Sequence, residues 1–152
     1  MMYRMVHHLV EPIWERPMKP SDKFLLVLLG LGFWILGTIF YQARGPRVFE
    51  SGAARYWINF VITPVVAAIV CIVILKWRHI AAADWASGAL LIALPGMFGE
   101  ALLLSNFVRF MPRMRPDSAG RYGAFLFAAY ALFLTVAEIA TLRGMGSPIK
   151  SR

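Results

Sequence analysis

One acidic residue, Glu100, lies inside a long apolar stretch, between a glycine and a run of leucines. It precedes the end of that stretch by seven residues, which places it roughly 10 Å below the membrane surface if the stretch is a helix. An ionised carboxylate at such a depth costs on the order of 3 kcal/mol on insertion scales. Glu100 must therefore be protonated, paired with another group, or in contact with water.

Polar residues of neighbouring apolar stretches are predicted to lie at the depth of Glu100 on the same side, and an arginine can reach back toward it. The candidate intramembrane polar site consists of Glu100, Thr38, Gln42, Asn59, Thr63 and Arg109, with Arg55 as a further cation. Three interpretations stay open. Glu100 joins two helices through one hydroxyl or one arginine, which we favour; it binds a proton or cation; or it contacts a ligand or partner.

A second acidic residue, Glu138, lies about four residues before the far end of the last apolar stretch. We predict an interfacial salt bridge between it and one of three basic residues near that surface, Lys76, Arg78 and Arg143. Because Glu100 and Glu138 lie near opposite membrane surfaces, they cannot act as a catalytic pair.

Other residues give little support for catalysis. The sequence has no Ser/His/Asp set, no HExxH motif, no glycine-rich phosphate loop and no CxxC motif. Its single cysteine, Cys71, lies in an apolar run, and the adjacent His7 and His8 have no further metal-ligand residue nearby. We therefore predict no enzymatic activity, no metal site and no cofactor.

Four apolar stretches must position these residues. Apolar residues make up 59% of the 152 and charged residues 16%, whereas a soluble domain has roughly 25% charged residues. Eighteen residues of helix span roughly 27 Å, enough for the hydrocarbon core. The predicted spans are residues 24–41, 57–77, 85–107 and 122–142. Short connections make neighbouring spans antiparallel, so we predict an all-α integral membrane protein, a four-helix up-down bundle.

Flanking and connecting segments complete the predicted organisation. Residues 1–23 form a polar N-terminal arm, residues 24–142 the transmembrane domain, and residues 143–152 a short basic tail. Gly45-Pro46 is predicted to end the first helix, and Asp84 to cap the third. Nine basic residues lie on the side of the termini and seven on the other, a small excess that predicts cytoplasmic termini.

Small residues recur at four-residue spacing, which is typical of close helix contacts in lipid. Span two carries Thr63, Ala67 and Cys71, and span four carries Gly120, Ala124 and Ala128. These faces are predicted to hold the four helices together, or else to contact another subunit.

Three sequence features suggest a family resemblance. The first is Pro95-Gly96 followed by the acidic Glu100 in LPGMFGEALLLSNF. The second is the Phe-x-Pro motif that begins at Phe110, near the exit of span three, and the third is the spacing from Gly123 to Tyr130. With GLGFWILGT in span one, they resemble a family of small four-span bacterial membrane proteins of unknown function over residues 24–142. The resemblance implies the bacterial cytoplasmic (inner) membrane and carries no activity.

The sequence analysis thus predicts a non-enzymatic membrane protein, first of all an accessory or structural subunit of a larger membrane assembly. The alternative is a small proton- or cation-coupled transporter or channel that uses Glu100. Its expected partners are the lipid bilayer and a membrane protein or further copies of itself. Nucleic acid is not expected, because the basic residues lie at the ends of the spans and form no stripe.

Overall fold

The computed structural model describes residues 18–145, and within them all regular structure is helical. The helices are α1 (Pro20–Gly45), α2 (Ala53–Trp77), α3 (Trp85–Ser105), the short α4 (Phe107–Phe110) and α5 (Ala119–Met145). A π-helical turn follows α1 at Pro46–Glu50, and 3-10 turns precede α3 and α5 at Ala82–Asp84 and Pro116–Ser118. The four long helices are each long and apolar enough to cross a membrane.

Contacts at one end of the molecule establish the helix directions. Asp22 in the first turn of α1 binds Arg78, which follows the last residue of α2, with 2.5 Å between Oδ1 and Nη2. The amide of Ala86 at the start of α3 donates to Thr141 Oγ1 near the end of α5, at 2.9 Å. The start of α1, the end of α2, the start of α3 and the end of α5 therefore meet. The predicted all-α up-down bundle is confirmed.

The four long helices do not form a closed square. α3 packs against α1 and α5, and α5 also packs against α2, whereas α1 and α2 have little backbone contact with each other. Gly30 is responsible for the close approach of α1 to α3, because a Cβ at this position would overlap the backbone of Ile92. The order across the bundle is thus α1, α3, α5, α2, with a cleft between the first and the last.

Two buried clusters fill the bundle, one toward each end. The cluster near the ion pair is aliphatic and includes Leu26, Leu75, Ala89, Ile92 and Ala137. The cluster at the opposite end is aromatic and includes Tyr41, Phe49, Phe107, Tyr122 and Phe125, covered by Met111 and Met114. Neighbouring rings in this second cluster have centroids 5.4–6.4 Å apart, a favourable range for edge-to-face contact.

The first helical segment is longer than the sequence suggested. Helix α1 starts at Pro20, inside the predicted polar arm, and ends at Gly45, where Gly45-Pro46 was predicted to end it. The residues that follow do not form an open loop at once, because a π-helical turn covers Pro46–Glu50. Proline at this position has a helical φ of −57°. The wider π-helical turn accommodates a ring that would crowd the preceding turn of an α-helix.

Other boundaries differ by small amounts. Helix α3 ends at Ser105, two residues earlier than predicted, because Asn106 leaves the helical region with φ −131° and ψ 41°. Asp84 occupies the N-cap position but makes no capping hydrogen bond through its side chain. Both Pro64 and Pro95 lie within continuous helices. Most of the predicted N-terminal arm and of the basic tail, including His7 and His8, lies outside the described residues.

Candidate functional site

Glu100 lies on α3 with only 7% of its surface exposed. The hydroxyl of Tyr122 on α5 donates to Glu100 Oε1 at 3.3 Å. The second oxygen, Oε2, is buried and has no hydrogen-bond partner among residues 18–145. No lysine or arginine among these residues forms an ion pair with the carboxylate. Glu100 thus joins α3 to α5 through one hydroxyl, but half of its hydrogen-bonding capacity is unused.

A second polar group lies close by, centred on Asn59 of α2. Its Oδ1 accepts hydrogen bonds from Tyr41 of α1 at 3.2 Å and from Thr63 at 3.0 Å. The rings of Tyr41 and Tyr122 meet edge to face with centroids 5.7 Å apart. Tyr41 therefore touches both polar groups, so the Asn59 cluster and the Glu100–Tyr122 pair are parts of one site.

A cavity of about 390 Å³ occupies the cleft between α1 and α2, with α3 and α5 behind it. Glu100 is one of its lining residues, and Thr63, Ala67 and Cys71 line it from α2. Six aromatic side chains also line it: Phe33, Trp34, Tyr41, Phe125, Tyr130 and Phe133. The cavity is thus an apolar and aromatic space with one carboxylate in its wall.

Buried polar atoms without partners concentrate around this cavity. Within residues 18–145 there are four such side-chain atoms: Trp34 Nε1, Thr38 Oγ1, Asn59 Nδ2 and Glu100 Oε2. Trp34 and Glu100 line the cavity, Thr38 is one helical turn beyond Trp34, and Asn59 binds two lining residues. An unsatisfied buried polar group costs about 1–3 kcal/mol. Their concentration in one place is typical of a site that is completed by a proton, water or ligand.

Gly99 allows this arrangement. The indole of Trp34 packs directly on its backbone, and a Cβ there would overlap the ring. A large aromatic side chain of α1 therefore lies against α3 beside Glu100. No group of three or more His, Cys, Asp and Glu side chains that could hold a metal ion occurs in residues 18–145.

The remaining members of the predicted polar site lie apart from Glu100. Gln42 Nε2 donates to the carbonyl of Phe110 at 2.8 Å, which joins α1 to the end of α4. Arg109 is exposed and makes no ion pair with Glu100. Thr38 is buried, but its hydroxyl does not reach the carboxylate. The break at Asn106 turns the backbone before Arg109, which places this arginine outside the helix that carries Glu100.

Of the residues predicted to form an interfacial salt bridge with Glu138, Arg78 pairs with a different acid, Asp22. Arg78 binds Asp22, through Nε at 3.2 Å and Nη2 at 2.5 Å, because the start of α1 lies beside the end of α2. Lys76 lies over the ring of Trp85, 5.9 Å from its centroid. Glu138 is exposed, and its pairing with Arg143 stays a prediction.

Sequence reasoning missed Tyr122, Tyr41 and Trp34 as members of the site. The up-down topology contained a usable signal for Tyr122, because the end of span three and the start of span four share one membrane surface. Tyr41 was interpreted only as the end of span one. Trp34 carried no distinguishing signal, since tryptophan in an apolar run is equally compatible with a lipid-facing position.

Comparison with models of known protein families identifies a family for this chain. The profile of a family described as "Family of unknown function (DUF5367)" matches residues 48–142, which include α2, α3, α4 and most of α5 but not α1. No curated protein and no solved structure matches the chain. Because the matched segment covers more than half of the chain, and carries Glu100 and Tyr122, this protein belongs to the DUF5367 family of unknown function.

Proposed function

We propose that this multi-pass membrane protein is a small proton- or cation-coupled transporter in which Glu100 is the coupling site. The observation that carries the proposal is the carboxylate in the wall of the α1–α2 cavity. One of its oxygens is bound by Tyr122, and the other has no hydrogen-bond partner among residues 18–145. A carboxylate held only to make a structural contact would be expected to have both oxygens satisfied in so apolar a place.

The chemistry of the cavity supports a positively charged or protonatable occupant. Aromatic rings attract cations through their faces, and six of them surround the space in front of Glu100. A proton on Glu100, or a cation close to it, neutralises the one acidic group of the wall. Binding of the two in alternation at one carboxylate would couple their movements.

The proposed location, orientation and lack of enzymatic activity are inferred from the sequence. We place the protein in the bacterial cytoplasmic membrane with cytoplasmic termini, in agreement with the small excess of basic residues on that side. We also propose that it catalyses no covalent chemistry.

The accessory role that the sequence analysis favoured is the competing proposal. It relied in part on stripes of small residues that could contact another subunit. The stripe of α2, Thr63, Ala67 and Cys71, lines the cavity and does not lie on the outer surface, which weakens that argument. The stripe of α5 is different, because Gly120 and Ala124 are exposed. An accessory subunit would retain a specific membrane-protein partner during purification in mild detergent.

Proton flux in proteoliposomes distinguishes these roles. Vesicles containing a pH-sensitive dye would be tested with and without tetraphenylphosphonium, an aromatic cation, across an imposed pH gradient. We expect flux for the wild type and its loss in Glu100→Gln. Glu138→Gln is the matched control, because it removes an exposed carboxylate from another span, and it should retain the flux. Absence of flux from the wild type, together with a co-purifying partner retained by Glu100→Gln, would support the accessory role instead.

A further inference from the structure

A second cavity, of about 350 Å³, lies at the end of the bundle where α1 passes through the π-helical turn into α2. Three arginines line it: Arg44 from the end of α1, Arg47 from the turn and Arg55 from the first turns of α2. Thr63 lines both this cavity and the one that contains Glu100. The two spaces are therefore neighbours along the α1–α2 cleft, one near the membrane surface and the other deeper.

The positive charge of this cavity is not neutralised by any residue in the part of the chain that the structure describes. Within residues 18–145, none of the three arginines forms an ion pair with a carboxylate. Arg55 donates only to the hydroxyl of Ser51, at 3.2 Å. The nearest acid in the sequence, Glu50, is engaged elsewhere, since its Oε1 accepts from the amide of Arg115 at 2.7 Å and from Ser118 at 2.9 Å. Three guanidinium groups thus line one site with no carboxylate of residues 18–145 paired to them.

The rest of the cavity wall is apolar and continues toward the membrane interior. Phe40 on α1 and Ile58 and Ile62 on α2 are more than half exposed. Ile58 and Ile62 are one helical turn apart, so they form a strip parallel to the helix axis. Trp57, which is also more than half exposed, marks the interfacial level at which α2 begins. Cations at the surface and an apolar strip below them match the layout of a phospholipid.

We propose that this cavity is a binding site for an anionic phospholipid, with its phosphodiester among Arg44, Arg47 and Arg55 and one acyl chain along Phe40, Ile58 and Ile62. Guanidinium groups bind phosphate oxygens through paired hydrogen bonds, and basic pockets at the ends of membrane helices favour anionic headgroups. Free phosphate would use the arginines but not the apolar strip. The strip is the reason for assigning a lipid rather than a soluble anion.

Native mass spectrometry of the intact protein in detergent, titrated with phosphatidylglycerol, tests this site. The site variant is Arg44→Gln with Arg47→Gln. The matched control is Arg109→Gln with Arg113→Gln, which removes the same charge from exposed arginines at the same end of the bundle. We expect the site variant to bind phosphatidylglycerol about tenfold or more weakly, and the control to change affinity by less than about threefold.

Three outcomes would overturn the proposal. Equal weakening in both double variants would show that the lipid responds only to surface charge. Equal affinity of the wild type for phosphatidylglycerol and phosphatidylcholine would remove the role of the anionic headgroup. Displacement of the lipid by millimolar inorganic phosphate would assign the site to a soluble anion. If the site variant does not fold, Arg55→Gln alone, whose side chain hydrogen-bonds the Ser51 hydroxyl, provides the same comparison against Arg109→Gln.

Discussion

The hydrogen bond from Tyr122 is the only one that the Glu100 carboxylate makes within residues 18–145. Interhelical polar contacts in membranes contribute about 0.6 kcal/mol on average and reach about 1.7 kcal/mol. We therefore expect Tyr122→Phe to lower the free energy of unfolding in detergent by about 1 kcal/mol. The matched control is Tyr130→Phe, which removes a hydroxyl of the cavity wall from the same helix without breaking a hydrogen bond to Glu100.

A double-mutant cycle separates this bond from other effects of the two substitutions. If Tyr122 acts through Glu100, the loss in free energy of unfolding caused by Tyr122→Phe should be much smaller in the Glu100→Gln background than in the wild type. A small loss remains, because the amide oxygen of the glutamine can still accept a weaker hydrogen bond from Tyr122. Equal losses for Tyr122→Phe and Tyr130→Phe, or full additivity in the cycle, would show that the hydrogen bond contributes nothing specific.

The ion pair of Asp22 and Arg78 is also testable at the level of single residues. It joins α1 to α2 at one end of the cleft, and the Asp22 side chain is only 11% exposed. Removing one partner of such a pair leaves the other poorly compensated. We expect Asp22→Asn to lower the free energy of unfolding by about 1–3 kcal/mol. Glu138→Gln, at an exposed position, is expected to change it by less than about 0.5 kcal/mol, and an equal loss would contradict the structural role of the pair.

Among the elements, α1 depends on the close contact of Gly30 with the backbone of Ile92 on α3. A methyl group at position 30 has no space unless the two helices separate. We expect Gly30→Ala to destabilise the protein by about 1–3 kcal/mol, measured by unfolding in detergent. Gly37→Ala is the control on the same helix, since a Cβ there meets nothing within 4 Å. It should be neutral or slightly stabilising, because alanine favours the helical state.

Reversal of these two results would mean that α1 packs on α3 through a different face. The family match is relevant here, because it begins at residue 48 and omits α1. The contact at Gly30 is therefore one of those that connect the unmatched helix to the matched ones.

The elements also show how far the sequence could predict this structure. Span number, direction and the burial of Glu100 followed from apolar length and short connections, which depend on local composition. The π-helical turn that follows α1 at Pro46–Glu50 did not, because such a turn depends on the packing that surrounds it. The partner of Arg78 was missed for a related reason: Asp22 lay in a segment interpreted as a polar arm.

The order of helices across the bundle was the least predictable feature, and it determines the candidate site. Up-down topology alone allows α1 to pack beside α2, which would close the cleft. Instead α1 packs on α3, and the glycines of these two helices carry that preference. Small residues were recognised in the sequence, but spacing alone could not assign which pair of faces meets.

At the scale of the whole molecule, the arrangement in the membrane can be tested with two exposed residues at opposite ends, Ser51 and His79. Ser51 lies between the π-helical turn and α2, and His79 lies between α2 and α3.

In a variant with Cys71→Ser as background, we introduce Ser51→Cys or His79→Cys and treat intact cells with a membrane-impermeant maleimide. The excess of basic residues on the side of the termini predicts labelling at position 51 in intact cells, and at position 79 only after permeabilisation. Complete labelling of both positions in intact cells would contradict the assignment of α2 as a membrane span. Partial labelling of each would indicate that the protein inserts in both orientations, as the small charge difference allows. Such dual insertion would make an antiparallel pair of copies possible.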